Sequence, residues 1–94
     1  MPVRAKFKVS KIEATMGSMP GPNKDANGRA IYIPTVIKTV VLNPVFGNGD
    51  PNHENTKFWA ASPSGEIRLG TVNAQAAAQF ELDQEFYVDF TPSA

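Results

Sequence analysis

The chain has no cysteine, no net charge and no long apolar run. Without cysteine it forms no disulfide, iron–sulfur cluster or thiolate zinc site, and it has no cysteine nucleophile. Nine basic side chains balance nine acidic ones, whereas a protein that coats long nucleic acid needs a basic surplus. No segment approaches the ~18 apolar residues of a membrane span, and the first residues lack the apolar core of a signal peptide. We therefore expect neither long nucleic acid nor a membrane as a partner.

The sequence does contain enough apolar material for one small core. Its 94 residues are 41% hydrophobic and 19% charged, a balance typical of a folded chain rather than a disordered one. No internal repeat or linker divides the chain. We therefore predict a single domain over residues 1–94.

Three segments alternate between apolar and polar residues with the period of two that predicts half-buried strands. In the first, the apolar side chains change parity after Val9, which indicates a bulge. In the last, Phe86, Val88 and Phe90 should face inward and Tyr87 outward. The three predicted strands are the one beginning at Val3, Glu66–Thr71 and Glu85–Thr91.

The segment Met16–Arg29 is rich in glycine and proline, which break regular structure. We predict a long loop here that ends in a type I′ turn at Asn27-Gly28. A loop of this length in so small a domain is either functional, for example an assembly arm, or a mobile excursion.

Ala30–Phe46 is the most strand-prone stretch, with apolar side chains on both faces. Such a strand is either central and covered on both sides or buried at a subunit interface. Pro34 should mark an edge position or bulge. Lys38 is the only charged residue in the stretch and should lie at the rim with its stem buried.

The remaining elements are short. Lys57–Ala61 is predicted as a strand with Phe58 and Trp59 on opposite faces, followed by a turn at residues 62–65. Asn73 should cap a helix over Ala74–Phe80. The sequence thus predicts a mainly β fold of about five strands and one short helix, built either as a small open antiparallel sheet or as an OB-like, partly open barrel.

Charge is distributed unevenly along the balanced chain. Basic residues dominate the first strand, and four acidic residues without a basic neighbour occupy 81–89. If the two ends pair as adjacent strands, these charges meet across the ladder. The same asymmetry also suits head-to-tail assembly of subunits.

Catalytic motifs are weak. His53 is the only histidine and should be an exposed loop residue; a triad with Ser62 or Ser64 and Asp89 lacks the G-x-S-x-G elbow. The acidic residues near Asp50 do not complete a calcium loop. We therefore expect no enzyme, no metal and no cofactor.

A binding surface is the alternative to catalysis. Trp59 and Tyr87 are the aromatic residues best placed for exposure, since each has an apolar neighbour on the opposite face of its strand. Aromatic stacking beside basic groups holds nucleobases and phosphates, so we expect one small nucleotide as ligand. The predicted ligand-binding residues are Trp59, Tyr87, Arg68, Lys38, Ser62 and Ser64.

Three stretches, Glu54–Glu66, Asn73–Phe80 and Phe86–Pro92, carry a resemblance to a known group. The Ala61-Ser62-Pro63-Ser64-Gly65 turn and the aromatic ending Asp89-Phe90-Thr91-Pro92 resemble those of small proteins encoded by tailed phages. The similarity covers roughly the last 40 residues, and its motifs are structural rather than chemical.

The resemblance implies a non-catalytic phage accessory protein. Its first expected function is to sequester a nucleotide signal of host defence as a homo-oligomeric sponge in the cytoplasm of the infected bacterium. The alternatives are a virion or head decoration protein, and an OB-like single-strand nucleic-acid binder.

Overall fold

The computed structural model describes residues 3–93 and shows a four-stranded antiparallel sheet with two short helices. The sheet order is β3-β2-β1-β4, so β3 and β4 are its two edges and the sheet stays open. The mainly β fold is thereby confirmed as an open sheet rather than a barrel, with four strands instead of about five and two helices instead of one. The elements are β1 (Val3–Lys24), β2 (Ala30–Pro44), α1 (Glu54–Trp59), β3 (Ile67–Thr71), α2 (Ala74–Ala77) and β4 (Glu85–Phe90).

A long hairpin of β1 and β2 dominates the fold. The two strands pair from Phe7 opposite Pro44 to Lys24 opposite Ala30. The long loop predicted from Met16 is therefore wrong, because β1 continues through it to Lys24. Pro20 lies beyond the last pairing of β1 with β4, so it is at a free edge of the sheet. A free edge tolerates proline, because no strand on that side needs the N–H that proline lacks.

The hairpin closes through a turn at residues 25–28. The Gly28 N–H donates to the Asp25 carbonyl at 3.0 Å, and the Asp25 carboxylate accepts from the Asn27 and Arg29 N–H groups. Gly28 has a φ of 79°, whereas Asn27 is not in the left-handed region. The predicted type I′ turn is wrong, since it requires a positive φ at both residues; the turn is type I with a following left-handed glycine.

Two predictions about β1 are confirmed. Its pairing with β2 shifts register between Val9 and Lys11, which is the bulge indicated by the change of parity. Its first residues pair with β4, so that Arg4 lies opposite Asp89 and Lys8 opposite Glu85. The uneven charges at the two ends of the chain thus meet across one ladder.

The core lies on one face of the sheet, called here the core face. The opposite face is called the outer face. Phe86 and Val88 of β4 pack against the core as predicted, whereas Phe90 at the end of β4 remains 50% exposed. The buried apolar residues of the core cluster are Ala5, Phe7, Val9, Val40 and Leu42.

The helices differ from their predictions. The residues predicted as strand Lys57–Ala61 belong mostly to α1, and Ala60 ends this helix in the left-handed region at a φ of 54°. The aromatic pair Phe58-Trp59 favours strand by propensity, and packing on the sheet overrides that preference. Helix α2 has the predicted cap, Asn73, whose side chain accepts from two backbone N–H groups, but it ends at Ala77.

Beyond its edge strands the hairpin projects alone. Strand β4 pairs only with Val3–Lys8 and β3 only with Lys38–Leu42, so residues 15–37 form a two-stranded ribbon, called here the arm. The remainder is called the body. The radius of gyration is 18.3 Å, against about 12 Å for a compact domain of this length, and the longest dimension is 62 Å. Pro34 lies on a free edge of the arm, as predicted.

Candidate functional site

Asn55 anchors α1 to the sheet. It is fully buried, and its amide oxygen accepts from the Lys6 N–H at 2.6 Å while its amide nitrogen donates to the Lys6 and Val45 carbonyls at 2.7 Å each. The last ladder pair of β1 with β2 joins Phe7 to Pro44. Just beyond this pair, the Val45 N–H still donates to the Lys6 carbonyl at 3.2 Å, and the Asn55 side chain bonds the Lys6 N–H and the Val45 carbonyl. Asn55 thus joins the ends of both strands and fixes the position of α1.

The predicted ligand residue Trp59 belongs to this anchored helix. Its ring packs edge-on against Phe7 with centroids 6.1 Å apart, and its indole N–H donates to the Ser64 carbonyl at 3.0 Å. Trp59 is thus half-buried against the core, while Phe58 is 47% exposed. The Ser62 and Ser64 residues lie in the exposed loop that this indole bond closes.

His53 has a structural role that the sequence did not reveal. Its Nδ1 accepts from the Asn55 N–H at 3.1 Å, which caps the first turn of α1. Its side chain is only 20% exposed, so the predicted exposed loop histidine is wrong. Among residues 3–93 no group of three or more His, Asp or Glu side chains is arranged to hold a metal.

Tyr87 is exposed on the outer face of the sheet, as predicted. The Arg4 guanidinium carbon lies 4.7 Å from its ring centroid and the Lys6 ammonium 5.1 Å away. Both are within the range of cation–π attraction. Tyr87, Arg4 and Lys6 therefore form an aromatic cluster with two cations, called here the Tyr87 cluster.

Carboxylates neutralise the cations of the Tyr87 cluster. Arg4 donates two hydrogen bonds to Asp89, at 2.7 and 3.1 Å, and these bonds lower the pKa of Asp89 and raise that of Arg4. Lys6 lies 3.5 Å from Glu54 and 3.8 Å from Glu85. Desolvation lowers the pKa of Lys6, but Tyr87 and the two carboxylates outweigh it and leave that pKa raised. An incoming anion would compete with these carboxylates for both cations.

The other two predicted ligand residues lie elsewhere. Arg68 is on edge strand β3, where it contacts Glu13 and Glu66 at 3.7 and 3.5 Å. Two strands separate it from Tyr87 on β4. Lys38 lies where the arm joins the body, between Ala14 and Thr71. The six predicted residues therefore do not converge on one site.

The cavities of the body are open depressions. One of about 440 Å³ lies between residues 46–49 and the end of α1, and Ser62 is the only predicted ligand residue that lines it. Another of about 510 Å³ is lined by Arg4, Glu54, Lys57, Val3 and Phe58, none of them a predicted ligand residue. Phe58 and Val3 give this second depression an apolar floor.

The arm is the region whose structure the sequence predicted least well, since its first half was expected to be a loop and is strand. No charged residue occurs in its segments Thr15–Asn23 and Ala30–Ile37. These segments nevertheless expose large apolar side chains. The exposed fractions are 68% at Met16, 46% at Ile31, 63% at Tyr32, 41% at Ile33 and 46% at Val36. The sequence signal for the arm is this absence of charge on both sides of a single Asn-Gly turn.

Comparisons of the chain with protein-family models, with curated proteins and with solved structures find no match. Within residues 3–93, no helix is long and apolar enough to cross a membrane.

Proposed function

We propose that the chain is a non-catalytic phage assembly protein, a virion component that uses its arm for docking. The arm is the observation that carries the proposal. A two-stranded ribbon is marginally stable alone in water, and exposed apolar patches on this scale mark interaction sites. A chain that holds such a ribbon clear of its body gains most by inserting it into an assembly.

The electrostatics of the body support this choice over a binding pocket. Carboxylates neutralise Arg4, Lys6 and Arg68. The six residues predicted to bind a ligand are dispersed, with Arg68 and Tyr87 on opposite sheet edges and the others on β2, in α1 and in the loop after it. The arm, by contrast, carries no charge along Thr15–Asn23 and Ala30–Ile37, and its charged residues are confined to the tip. Covering it therefore costs little desolvation and yields hydrophobic free energy.

Mass spectrometry of purified particles of the encoding phage tests this function. We expect the chain in the particles at a fixed copy number, and we expect removal of residues 15–37, with Ala14 joined to Lys38 through a short Gly-Ser linker, to abolish incorporation. Absence of the full-length chain from intact particles would contradict the proposal. Circular dichroism of the shortened chain shows whether its body still folds.

Nucleotide sequestration is a second proposal, and the Tyr87 cluster is the observation that favours it. An exposed ring beside two cations offers a stacking surface for a base and donors for a phosphate. Native mass spectrometry with mononucleotides and cyclic dinucleotides tests it. The chain has two tyrosines, both exposed, so Tyr32→Ala on the arm is the matched control for Tyr87→Ala.

For sequestration we expect a bound nucleotide in the unmodified protein and in Tyr32→Ala, and none in Tyr87→Ala. No bound nucleotide in any of the three would contradict this second proposal. A nucleotide retained by Tyr87→Ala would show that the Tyr87 cluster is not its site.

A further inference from the structure

The two faces of the arm differ in how their apolar side chains are covered. On the outer face, glycines lie beneath isoleucines: Ile37 lies over Gly17, and Ile33 over Gly21 at 3.1 Å from the position a Cβ would take. These isoleucines occupy the space above the two glycines. The outer face is thereby partly covered by its own side chains, although Ile31 and Ile33 remain 46% and 41% exposed.

The core face of the arm has no such cover. Side chains alternate along a strand, so Val36 points to the same face as the core residue Val40. In the pairing with β1, Met16 lies opposite Val36. Leu69, opposite Val40 on β3 and 48% exposed, lies on the same face of the body, and Lys38 lies on this face between Val36 and Val40. We call the surface of Met16, Tyr32, Val36 and Leu69 the arm stripe.

The free edges of the arm are unsuited to strand addition. Pro20 and Pro22 interrupt the donors of β1, and Pro34 interrupts those of β2. Proline at an edge blocks pairing with a further strand. A partner therefore meets the arm through its face.

We propose that the arm stripe is covered by the arm stripe of a second copy of this chain, in an antiparallel, two-fold symmetric dimer. This inference rests on the proposed function, because that function assigns docking to the arm and the inference names the partner. Two copies of one ribbon match in length and place uncharged strand on uncharged strand. Two-fold pairing of identical patches is the commonest arrangement of homo-oligomers.

Charge supports the antiparallel direction. The arm carries Lys24 and Arg29 against one acidic side chain, a net +1, and the rest of the chain carries seven basic against eight acidic side chains, a net −1. Within residues 3–93 neither Lys24 nor Arg29 forms an ion pair. Antiparallel overlap keeps the tip cations of the two copies apart, whereas parallel overlap places the two tips together.

The area that a stable dimer buries is larger than one face of the arm, so the contact must use the whole arm and part of the body. Ten residues of β1 at about 3.4 Å each, in a ribbon about 10 Å wide, give roughly 340 Å² of flat surface on one face. A specific interface buries about 800 Å² on each partner. The arm face alone falls short, so the contact includes the body around Leu69, which the tip of an antiparallel partner reaches.

Light scattering coupled to size-exclusion chromatography tests the dimer. Val36 and Ile31 are β-branched, lie on the same strand of the arm, are each 46% exposed and point to opposite faces. We expect the unmodified protein and Ile31→Lys to elute as dimers and Val36→Lys as a monomer. A monomeric unmodified protein at all concentrations, or dimers unaffected by Val36→Lys, would overturn the proposal.

Cross-linking provides a second measurement that does not depend on destabilising the arm. The chain has no cysteine, so a single introduced cysteine reports one position. Ser18 lies near the middle of the arm on the core face, and Thr35 lies on the outer face. We expect Ser18→Cys to form a disulfide-linked dimer under mild oxidation several-fold faster than Thr35→Cys, and equal rates would overturn the assignment of the face. Dimerisation is measured without phage particles, so its failure is distinguishable from failure to find the chain in them.

Discussion

Strand β2 belongs to the body at one end and to the arm at the other. Valine side chains on the same face of this strand are buried in the body and exposed in the arm. Val40 is 1% exposed and Val36 is 46% exposed, although both point to the core face of one strand. Over Val40 the sheet is three strands wide, with Ile12 of β1 and Leu69 of β3 on its two sides, and it is covered by the segment around α2; over Val36 only two strands remain. The sequence of β2 is apolar in both regions, so it does not decide which valine is buried. Burial depends on whether neighbouring strands and the α2 segment cover the side chain.

Charge distinguishes the regions further. In the body, the basic residues of β1 all meet acidic partners, as in the pairs Arg4–Asp89 and Lys8–Asp83. The arm has no charge between its base and its tip. The body also exposes large apolar side chains, such as Phe46 and Leu82, but paired charges lie among them, whereas the strands of the arm expose apolar side chains with no charge between them.

The largest expected effect lies in the body, at the anchor of α1. Asn55→Ala removes three hydrogen bonds: the Lys6 N–H and the Val45 carbonyl lose their Asn55 partner, and the Lys6 carbonyl keeps only the Val45 N–H. We expect a loss of about 3 kcal/mol in the free energy of unfolding, measured by urea denaturation. Asn52→Ala, at an exposed loop position, is the control and should change stability little. An Asn55→Ala variant as stable as this control would contradict the role of Asn55.

The two valines test the comparison itself. Val40→Ala removes buried methyl groups and should cost about 2 kcal/mol. Val36→Ala should cost less than about 0.5 kcal/mol in a monomer, and its cost should rise with protein concentration as the arm becomes covered. Urea denaturation at several protein concentrations measures both. Equal costs at high dilution would contradict the distinction between body and arm.

The smallest expected effect concerns the ion pair between β1 and β4. The hydrogen bonds and charge of Arg4 lower the pKa of Asp89 in the folded state, so the pair stabilises the fold above the ordinary value of about 3.9. This contribution is lost as the pH falls through the lowered pKa. Both side chains are exposed, which keeps the effect small.

Asp89→Asn measures this contribution by thermal unfolding across pH. We expect a slightly lower midpoint than in the unmodified protein at pH 7 and no difference once the carboxyl of Asp89 is protonated. Asp50→Asn is the control, since within residues 3–93 Asp50 forms no ion pair. A deficit in Asp89→Asn that persists at acid pH would show that the ion pair is not its cause.

Local patterns predicted the body well. The alternation of β1, the bulge after Val9, the Asn73 cap and the charge pairing between β1 and β4 all follow from neighbouring residues or from simple cross-strand complementarity. The open sheet was one of two architectures compatible with these patterns. Periodicity did not distinguish them, because closure depends on whether the edge strands meet.

The wrong predictions have a common cause: each depended on contacts between segments that are distant in sequence, and local patterns do not show those contacts. Pro20 and Pro22 indicated a loop because proline breaks a central strand, and the free edge of the arm removes that objection. Phe58 and Trp59 indicated a strand, and the burial of Asn55 on β1 makes their segment a helix. The six predicted ligand residues were chosen by type alone, and no local pattern shows that Arg68 and Tyr87 lie on opposite edges.

Backbone amide hydrogen exchange compares the two regions most directly. In the unmodified protein we expect the amides of residues 15–24 and 30–37 to exchange several-fold more slowly than in Val36→Lys, because a second copy covers them, while amides of the core exchange alike in both. Ile31→Lys should match the unmodified protein. Arm amides that exchange at the same rate in the unmodified protein and in Val36→Lys would contradict the claim that the arm is covered through its core face.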